Sequence, residues 1–158
     1  MKGELKREIR KEAAYERLGT RQPRCQHCGE ADPFALQGSH PDVTCYECSA
    51  HLAGRSATEL HHAAGRRNSH ATVPISGNDH RVLSDMQRDW PVRTLRNPDG
   101  SPLLAAAAAI RGWLDVLWLL VQRTVGHVPA LLESLDEGLR SAYGDRWWEA
   151  LGLEGTAL

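Results

Sequence analysis

The sequence predicts an α+β protein in which a small unit of two strands and one helix lies between helical ends. Three observations lead to this fold class. Charged residues alternate at helical spacing near the N-terminus, two short β-type runs occur near the middle, and a long apolar segment follows. The chain has 158 residues, of which 41% are hydrophobic, so it can bury one modest core.

Net charge, cysteine spacing and hydrophobic pattern bear on which partners and which cellular location we expect for this chain. The formal net charge is -1, so a surface that binds a polyanion has to be local. The first twelve residues, MKGELKREIRKE, lack the apolar core of a signal peptide, and the cysteines occur in closely spaced pairs, so we expect a cytoplasmic, reducing location. Residues 103–121 contain Arg111, Gly112 and Asp115. Because a bilayer penalises central charges, this segment is predicted to be a buried helix and no membrane association is expected.

The first segment, residues 1–24, is predicted to hold a basic amphipathic helix over residues 2–18. Lys/Arg and Glu alternate there, and the pairs Lys2 and Lys6, and Leu5 and Ile9, lie four residues apart. Basic residues outnumber acidic ones as far as Arg24, so this arm is a candidate for phosphate contacts. A solvated helix stabilised by ion pairs is the favoured interpretation.

Residues 25–56 are predicted to form a metal-binding element. They are rich in turn formers and poor in large apolar residues, so local contacts cannot offset the entropy of ordering them. Cys25 and Cys28 form one CxxC pair, and Cys45 and Cys48 form another. This spacing is typical of a tetrahedral structural Zn²⁺ site. A disulfide framework and a redox CxxC are disfavoured by the missing secretory signal and by the presence of two pairs without a strand–helix context.

Residues 57–92 are predicted to form a strand, a loop, a second strand and a helix, in that order. The first strand ends at the pair His61 and His62, and the second spans residues 72–75. Asn78 is the expected N-cap of the helix, which places Val82, Leu83 and Met86 on one face.

Residues 93–158 are predicted to be helical. Ser101 and Pro102 provide an N-cap and a first helical residue for an apolar helix that ends near Thr124. Pro129 begins a further helix, and Gly144 ends it. The apolar helix is too hydrophobic to remain exposed, so we expect it to cover the central unit, a second copy in a homodimer, or another protein partner.

The residues around the paired histidines resemble the HNH, or ββα-metal, nuclease motif. In that family the first strand ends in HH or DH, the second reads roughly VPL, and the helix opens with a metal-binding His or Asn. Here the corresponding stretches are residues 59–66, Val73-Pro74-Ile75, and residues 78–81. The resemblance covers residues 59–91, and upstream CxxC pairs, forming a zinc-knuckle or treble-clef-like element, occur in many members.

The resemblance implies a metal-dependent endonuclease, a hydrolase of phosphodiester bonds, with DNA as the first expected partner. It implies that His61 and His80 bind a catalytic Mg²⁺ or Mn²⁺ ion and that His62 is the general base. Imidazole suits proton abstraction near neutral pH, and a divalent ion offsets the charge that develops on the phosphate. Arg66 and Arg67 are further expected to bind nucleic-acid phosphates together with Arg81, and scattered surface arginines are the alternative.

Two positions depart from the family pattern. The middle Asn of the motif usually lies nine residues before the helical His, and this position is Ala71. Asn68 is the candidate substitute, with His70 as another, because both side chains carry donors for backbone carbonyls. Ser84 stands where some members have a further metal-binding His. The alternatives are therefore a second structural zinc site, ordinary structural histidines, or a catalytically inactive zinc-stabilised module that binds nucleic acid or protein.

Overall fold

A computed structural model describes residues 2–153, with side chains from residue 5 onward. The predicted pairing of Lys2, and the ends of the predicted segments at Met1 and at 154–158, lie outside the described residues. The elements in chain order are α1 (Lys2–Leu18), β1 (Leu36–Gln37), β2 (Thr44–Cys45), α2 (Tyr46–Leu52), β3 (Thr58–His61), β4 (Val73–Ser76), α3 (Gly77–Gln87), α4 (Val92–Arg96), α5 (Pro102–Thr124), α6 (Val128–Tyr143) and α7 (Trp147–Ala150). Helices and two small sheets make this an α+β chain, as predicted.

The chain divides into two compact units, Met1–Leu119 and Leu120–Leu158. The first unit contains both sheets, and each sheet is an antiparallel pair. Strand β1 pairs with β2, which places Leu36 opposite Cys45. Strand β3 pairs with β4, which places His61 opposite Val73. Each sheet is followed directly by a helix, so the second CxxC pair and the predicted ββα segment each begin on a strand and continue onto a helix.

Small apolar clusters form the core of the first unit. One surrounds the cysteines and consists of Leu18, Leu36, Val43, Cys25 and Cys45. A second joins Ala35, Val82, Leu83 and Leu119, and a third joins Ala64, Trp90 and Ala108. The buried residues of α3 are therefore held between the cysteine element on one side and α5 on the other.

An ion-pair network ties α1 to α3. Arg10 donates from Nε to Asp85 at 2.6 Å and from a terminal nitrogen to Asp89 at 2.9 Å. The Asp85 side chain is only 5% exposed, and its pairing with this guanidinium supplies the partner that a buried carboxylate requires. Ion pairs thus connect the N-terminal helix to α3, another element of the first unit.

The N-cap of α3 differs from the sequence-based expectation. Ser76 is the N-cap, because its hydroxyl accepts a hydrogen bond from the backbone N–H of Asp79 at 3.1 Å. Asn78 lies in the first turn instead and is buried. Its Oδ1 accepts from the backbone N–H of Glu47 at 3.1 Å, and its Nδ2 lies 3.5 Å from Glu30 Oε2. Asn78 therefore connects α3 to the cysteine element rather than capping the helix.

The expectation that the apolar helix α5 is buried is wrong for most of its surface. Only Ala108, Gly112 and Leu119 are buried along it. The stretch Pro102–Tyr143 is long and apolar enough to cross a membrane on length and composition, and 17% of its most apolar window is buried. The reason is geometric: α5 is apolar on several faces, and the small core contacts only one of them.

The second unit contains the end of α5 and helices α6 and α7. Trp147 donates from Nε1 to Asp136 at 2.8 Å, which joins α7 to α6. Gly144 has a φ of 87° and ends α6, as the sequence predicted. Neither helix has a buried residue within the described range, so this unit lacks an apolar core of its own there.

Candidate metal centre and catalytic histidines

The structure brings the four cysteines together. Their sulfur atoms all lie within 4.8 Å of one another, and the sulfurs of Cys28 and Cys45 are 3.6 Å apart. Zn–S bonds of about 2.3 Å in a tetrahedron require sulfurs about 3.8 Å apart, so the donor set and its size fit zinc. The cluster is one that can hold a metal ion such as zinc. His27, His40 and His51 are exposed and are not part of it.

Local backbone geometry explains how the two pairs converge. Gly29, at a φ of 81°, closes the first turn with a hydrogen bond to the Cys25 carbonyl at 2.9 Å. Cys45 is the N-cap of α2, and its sulfur accepts from the backbone N–H of Cys48 at 3.3 Å. The Cys45 N–H in turn donates to the Cys25 sulfur at 3.2 Å. Each pair therefore presents its sulfurs from a tight turn.

The ionisation of the thiols favours a bound cation. Burial opposes ionisation of Cys25, but backbone N–H groups of neighbouring residues and the Thr44 hydroxyl outweigh it and lower the pKa of this thiol to about 6. Burial and the neighbouring cysteines raise the pKa of Cys48. Cys25 therefore ionises readily, whereas burial and the neighbouring cysteines oppose ionisation of Cys48. A divalent cation removes this conflict.

His61 lies at the end of β3 and is only 3% exposed. Burial, with smaller contributions from the positive charges of His80 and His62, lowers its pKa to about 4. The ring is therefore neutral near physiological pH, which is the form that binds a metal ion. The ring centroids of His61 and His80 are 5.2 Å apart, so the two predicted ligands are neighbours.

His80 is oriented by a carboxylate. Its Nδ1 lies 2.5 Å from Oε2 of Glu59, and the other oxygen of Glu59 accepts from Arg81 at 2.9 Å. A carboxylate on one ring nitrogen fixes the imidazole and leaves its other nitrogen for a cation. Glu59 makes this contact, whereas the carboxylate of Asp85 on α3 pairs with Arg10.

His62 faces away from His61, into the loop between β3 and β4. Its Nδ1 lies 3.3 Å from the backbone carbonyl of Ser69. A carbonyl only accepts hydrogen bonds, so Nδ1 is the donor here, and in the neutral ring Nε2 carries the lone pair. This tautomer is the one that a general base requires.

Asn68 braces the same loop. Its Nδ2 donates to the carbonyls of Ala64 at 3.1 Å and Thr94 at 3.0 Å. Ala71, at the usual position of the family Asn, is exposed and uses only its backbone N–H, which donates to Ser69 Oγ at 3.0 Å. Asn68 thus bonds backbone carbonyls of its own loop and of α4, whereas His70 is exposed.

Gln87 is a residue that the sequence reasoning missed. Its Nε2 lies 2.9 Å from the His62 carbonyl, 3.1 Å from the Ala63 carbonyl and 3.3 Å from His61 Nε2. It follows His80 by seven residues, which is two helical turns, so both side chains share one face of α3. That spacing was the available signal.

The predicted phosphate-binding arginines do not share one cavity. Arg81 lines a cavity of about 640 Å³, and its guanidinium lies 4.5 Å from the centre of the Tyr46 ring. The other arginines on that cavity are Arg10, Arg17 and Arg88. Arg67 lines a separate cavity of about 680 Å³ with Arg96, and Arg66 is exposed.

Among the described residues, one group of at least three metal-ligating side chains lies close enough together to share an ion, and it consists of the four cysteines. The histidine site offers two neighbouring imidazoles, with Glu59 in contact with one of them. No family model, curated protein or solved structure matches this chain. The resemblance to HNH nucleases therefore depends on the residues themselves.

Proposed function

We propose that this chain is a metal-dependent endonuclease that hydrolyses phosphodiester bonds of nucleic acid, with DNA as the first substrate to test. The observation that carries the proposal is the hydrogen bond from His62 Nδ1 to the Ser69 carbonyl. It leaves Nε2 of a half-buried histidine ready to take a proton from water.

His61 and His80 are the residues that would hold a divalent ion such as Mg²⁺ or Mn²⁺. Bound there, the ion would offset negative charge on the phosphate and on the leaving oxygen. The protein residues prepare this site in two ways. Burial keeps His61 neutral, and Glu59 fixes the orientation of the His80 ring.

Two amides fix the backbone that carries the base. Gln87 holds the carbonyl of His62 itself, and Asn68 holds the carbonyl of Ala64 two residues later. Since a general base acts only within hydrogen-bond reach of its proton, this bracing sets the position of the His62 ring relative to the metal ligands.

The cysteine cluster would serve a structural role with Zn²⁺. The clustered sulfurs leave no open position once four thiolates are bound, which is typical of structural sites. Metal binding also supplies the stabilisation that the small core around Leu18 and Leu36 does not.

The test is cleavage of supercoiled plasmid by the zinc-loaded protein with Mg²⁺ or Mn²⁺, with and without a chelator. We expect metal-dependent nicking by the wild type and its loss in His62→Ala. His70→Ala is the matched control, because His70 lies in the same loop but is exposed. It should cut like the wild type.

A second candidate is a zinc-stabilised module that binds nucleic acid or protein without cutting. Ala71 and Ser84, at two family positions, favour it. If folded, zinc-loaded wild type and His62→Ala are equally inactive on DNA and RNA, this second candidate replaces the first.

A further inference from the structure

The cavity of about 640 Å³ in the first unit is lined by α1, by α3 and by the cysteine element. Each helix contributes two arginines that are seven residues, or two helical turns, apart. They are Arg10 and Arg17 from α1, and Arg81 and Arg88 from α3 and its C-cap. Among the described residues of the lining, Asp85 is the one acidic side chain. The lining therefore carries an excess of positive charge.

Two of these arginines have close carboxylate partners. Arg10 donates to Asp85 at 2.6 Å, and Arg81 donates to Glu59 at 2.9 Å. These ion pairs hold both guanidinium groups in place and offset their charge. The excess positive charge of the cavity therefore belongs mainly to the other two arginines.

Arg17 and Arg88 carry this excess charge. Arg17 donates from Nη2 to the carbonyl of Leu36 at 2.9 Å, and its partners among the described residues are backbone carbonyls. Such carbonyls orient a guanidinium without neutralising it. Arg88 is 69% exposed and lies 3.9 Å from Asp85, whose carboxylate already pairs with Arg10. Like charges around one cavity repel one another, and a bound anion would relieve this repulsion.

The donors of the cavity suit a phosphate group. Because Arg17 uses Nη2 for its hydrogen bonds, its Nε and Nη1 can donate to a ligand. A guanidinium binds two phosphate oxygens through parallel N–H groups. The aromatic rings of the lining already face arginines, with Arg81 at 4.5 Å from the Tyr46 ring centre and Arg7 at 6.0 Å from that of Phe34. Phosphate oxygens, rather than a stacked base, are therefore what this cavity recognises.

We propose that this cavity binds a phosphate group, carried by a nucleotide or by the backbone of a nucleic acid, through Arg17 and Arg88. Its volume lies within the range of roughly 300–1,000 Å³ that is typical of small-molecule sites. The three histidines of the candidate site are not among the residues that line it. The proposal therefore does not depend on the proposed nuclease activity.

The test is isothermal titration calorimetry on the full-length, zinc-loaded protein without added Mg²⁺. The probes are thymidine 3′,5′-bisphosphate and an oligothymidylate of about 20 nucleotides, which is longer than one binding site. We expect the wild type to bind a probe that carries phosphate and not to bind thymidine. Arg17→Ala/Arg88→Ala should bind that probe at least about 10-fold more weakly, because it lacks two charge-assisted donors.

Arg21→Ala/Arg24→Ala is the matched control. It also removes two exposed positive charges, but neither residue lines the cavity. This control should bind the probe like the wild type. An equal loss in both double variants would overturn the proposal, because the binding would then depend on overall charge and not on the cavity.

The two probes distinguish the carriers of the phosphate. Loss of bisphosphate binding in the Arg17→Ala/Arg88→Ala variant indicates a free nucleotide, and loss of oligothymidylate binding alone indicates a nucleic-acid backbone. A folded wild type that binds neither probe, or that binds thymidine as tightly as the bisphosphate, would overturn the proposal. Arg88→Ala covers the case in which the double variant does not fold, because Arg88 is 69% exposed. Unchanged binding by this single variant would equally count against the proposal.

Discussion

Gly112 is the residue whose replacement best tests how closely α5 packs on the candidate site. A Cβ atom at this position would lie 2.5 Å from the carbonyl carbon of Ala63 and closer still to its oxygen. Carbon atoms in contact are about 3.5 Å or more apart, so Gly112→Ala demands a shift of about 1 Å. The Ala63 carbonyl cannot retreat freely, because it accepts a hydrogen bond from Gln87.

The expected effect is a net loss of stability. Overpacking of this kind costs about 1–3 kcal/mol, and the helix preference for Ala over Gly returns about 1 kcal/mol. Gly112→Ala should therefore lower the free energy of unfolding by up to about 2 kcal/mol. Under the proposed function it should also lower plasmid cleavage, because Ala63 directly follows His62.

Gly138→Ala is the control. Gly138 lies within α6, and a Cβ atom there would meet no heavy atom within 4 Å. The same substitution should therefore raise stability by up to about 1 kcal/mol. Urea denaturation of both zinc-loaded variants measures the difference. If Gly112→Ala is as stable as Gly138→Ala, the close contact between α5 and Ala63 is refuted.

Three further perturbations test the metal centre, the loop brace and a buried charge. Cys28→Ser, like removal of zinc by a chelator, should lower the melting temperature sharply, because metal binding contributes on the order of 10 kcal/mol. A zinc assay combined with a thermal melt measures this effect. A well-folded wild type without bound metal would contradict it. Asn68→Ala leaves two backbone carbonyls without their donor and should cost about 2 kcal/mol in urea denaturation, whereas an unchanged midpoint would argue against the brace. Burial raises the pKa of Asp115 in the folded protein, so folding favours its protonated form. The stability that this preference contributes is present at low pH and is lost as pH rises through the folded-state pKa. Asp115→Asn keeps an acceptor for Trp90 Nε1 and removes the buried charge. It should therefore raise the melting temperature at neutral pH but not in strong acid. An equal change in melting temperature at both pH values would contradict this prediction.

The parts of the fold that were predictable from sequence depend on local spacing. Two CxxC pairs define a metal cluster because each pair closes within one turn, and the structure brings their sulfurs together. The bounds of α1 and the ends of α5 and α6 follow from charge periodicity and from Pro and Gly signals. Asn68 was predicted to donate to backbone carbonyls because its amide lies in the loop between β3 and β4, and it does donate to Ala64. Its second partner, Thr94, could not be predicted from sequence because it lies in a distant segment.

The remaining features depend on contacts between distant segments. Gln87 reads as an ordinary helix residue, and its role exists only because α3 crosses the end of β3. Asn78 resembles an N-cap in sequence, but a serine two residues earlier competes for that position and wins. The exposure of α5 was mispredicted because apolar composition indicates that a helix surface favours burial. It does not indicate how much of that surface the rest of the chain can bury.

The hydrogen bond between Asn78 and Glu47 has a consequence for how the protein would mature. Glu47 lies between Cys45 and Cys48, and Asn78 precedes the proposed ligand His80 by two residues. A cation shared by the thiolates would hold the cysteine turn in place, and the Asn78 amide joins this turn to the start of α3. Under the proposed function, we therefore expect a newly made chain to cleave nucleic acid only after it has acquired zinc.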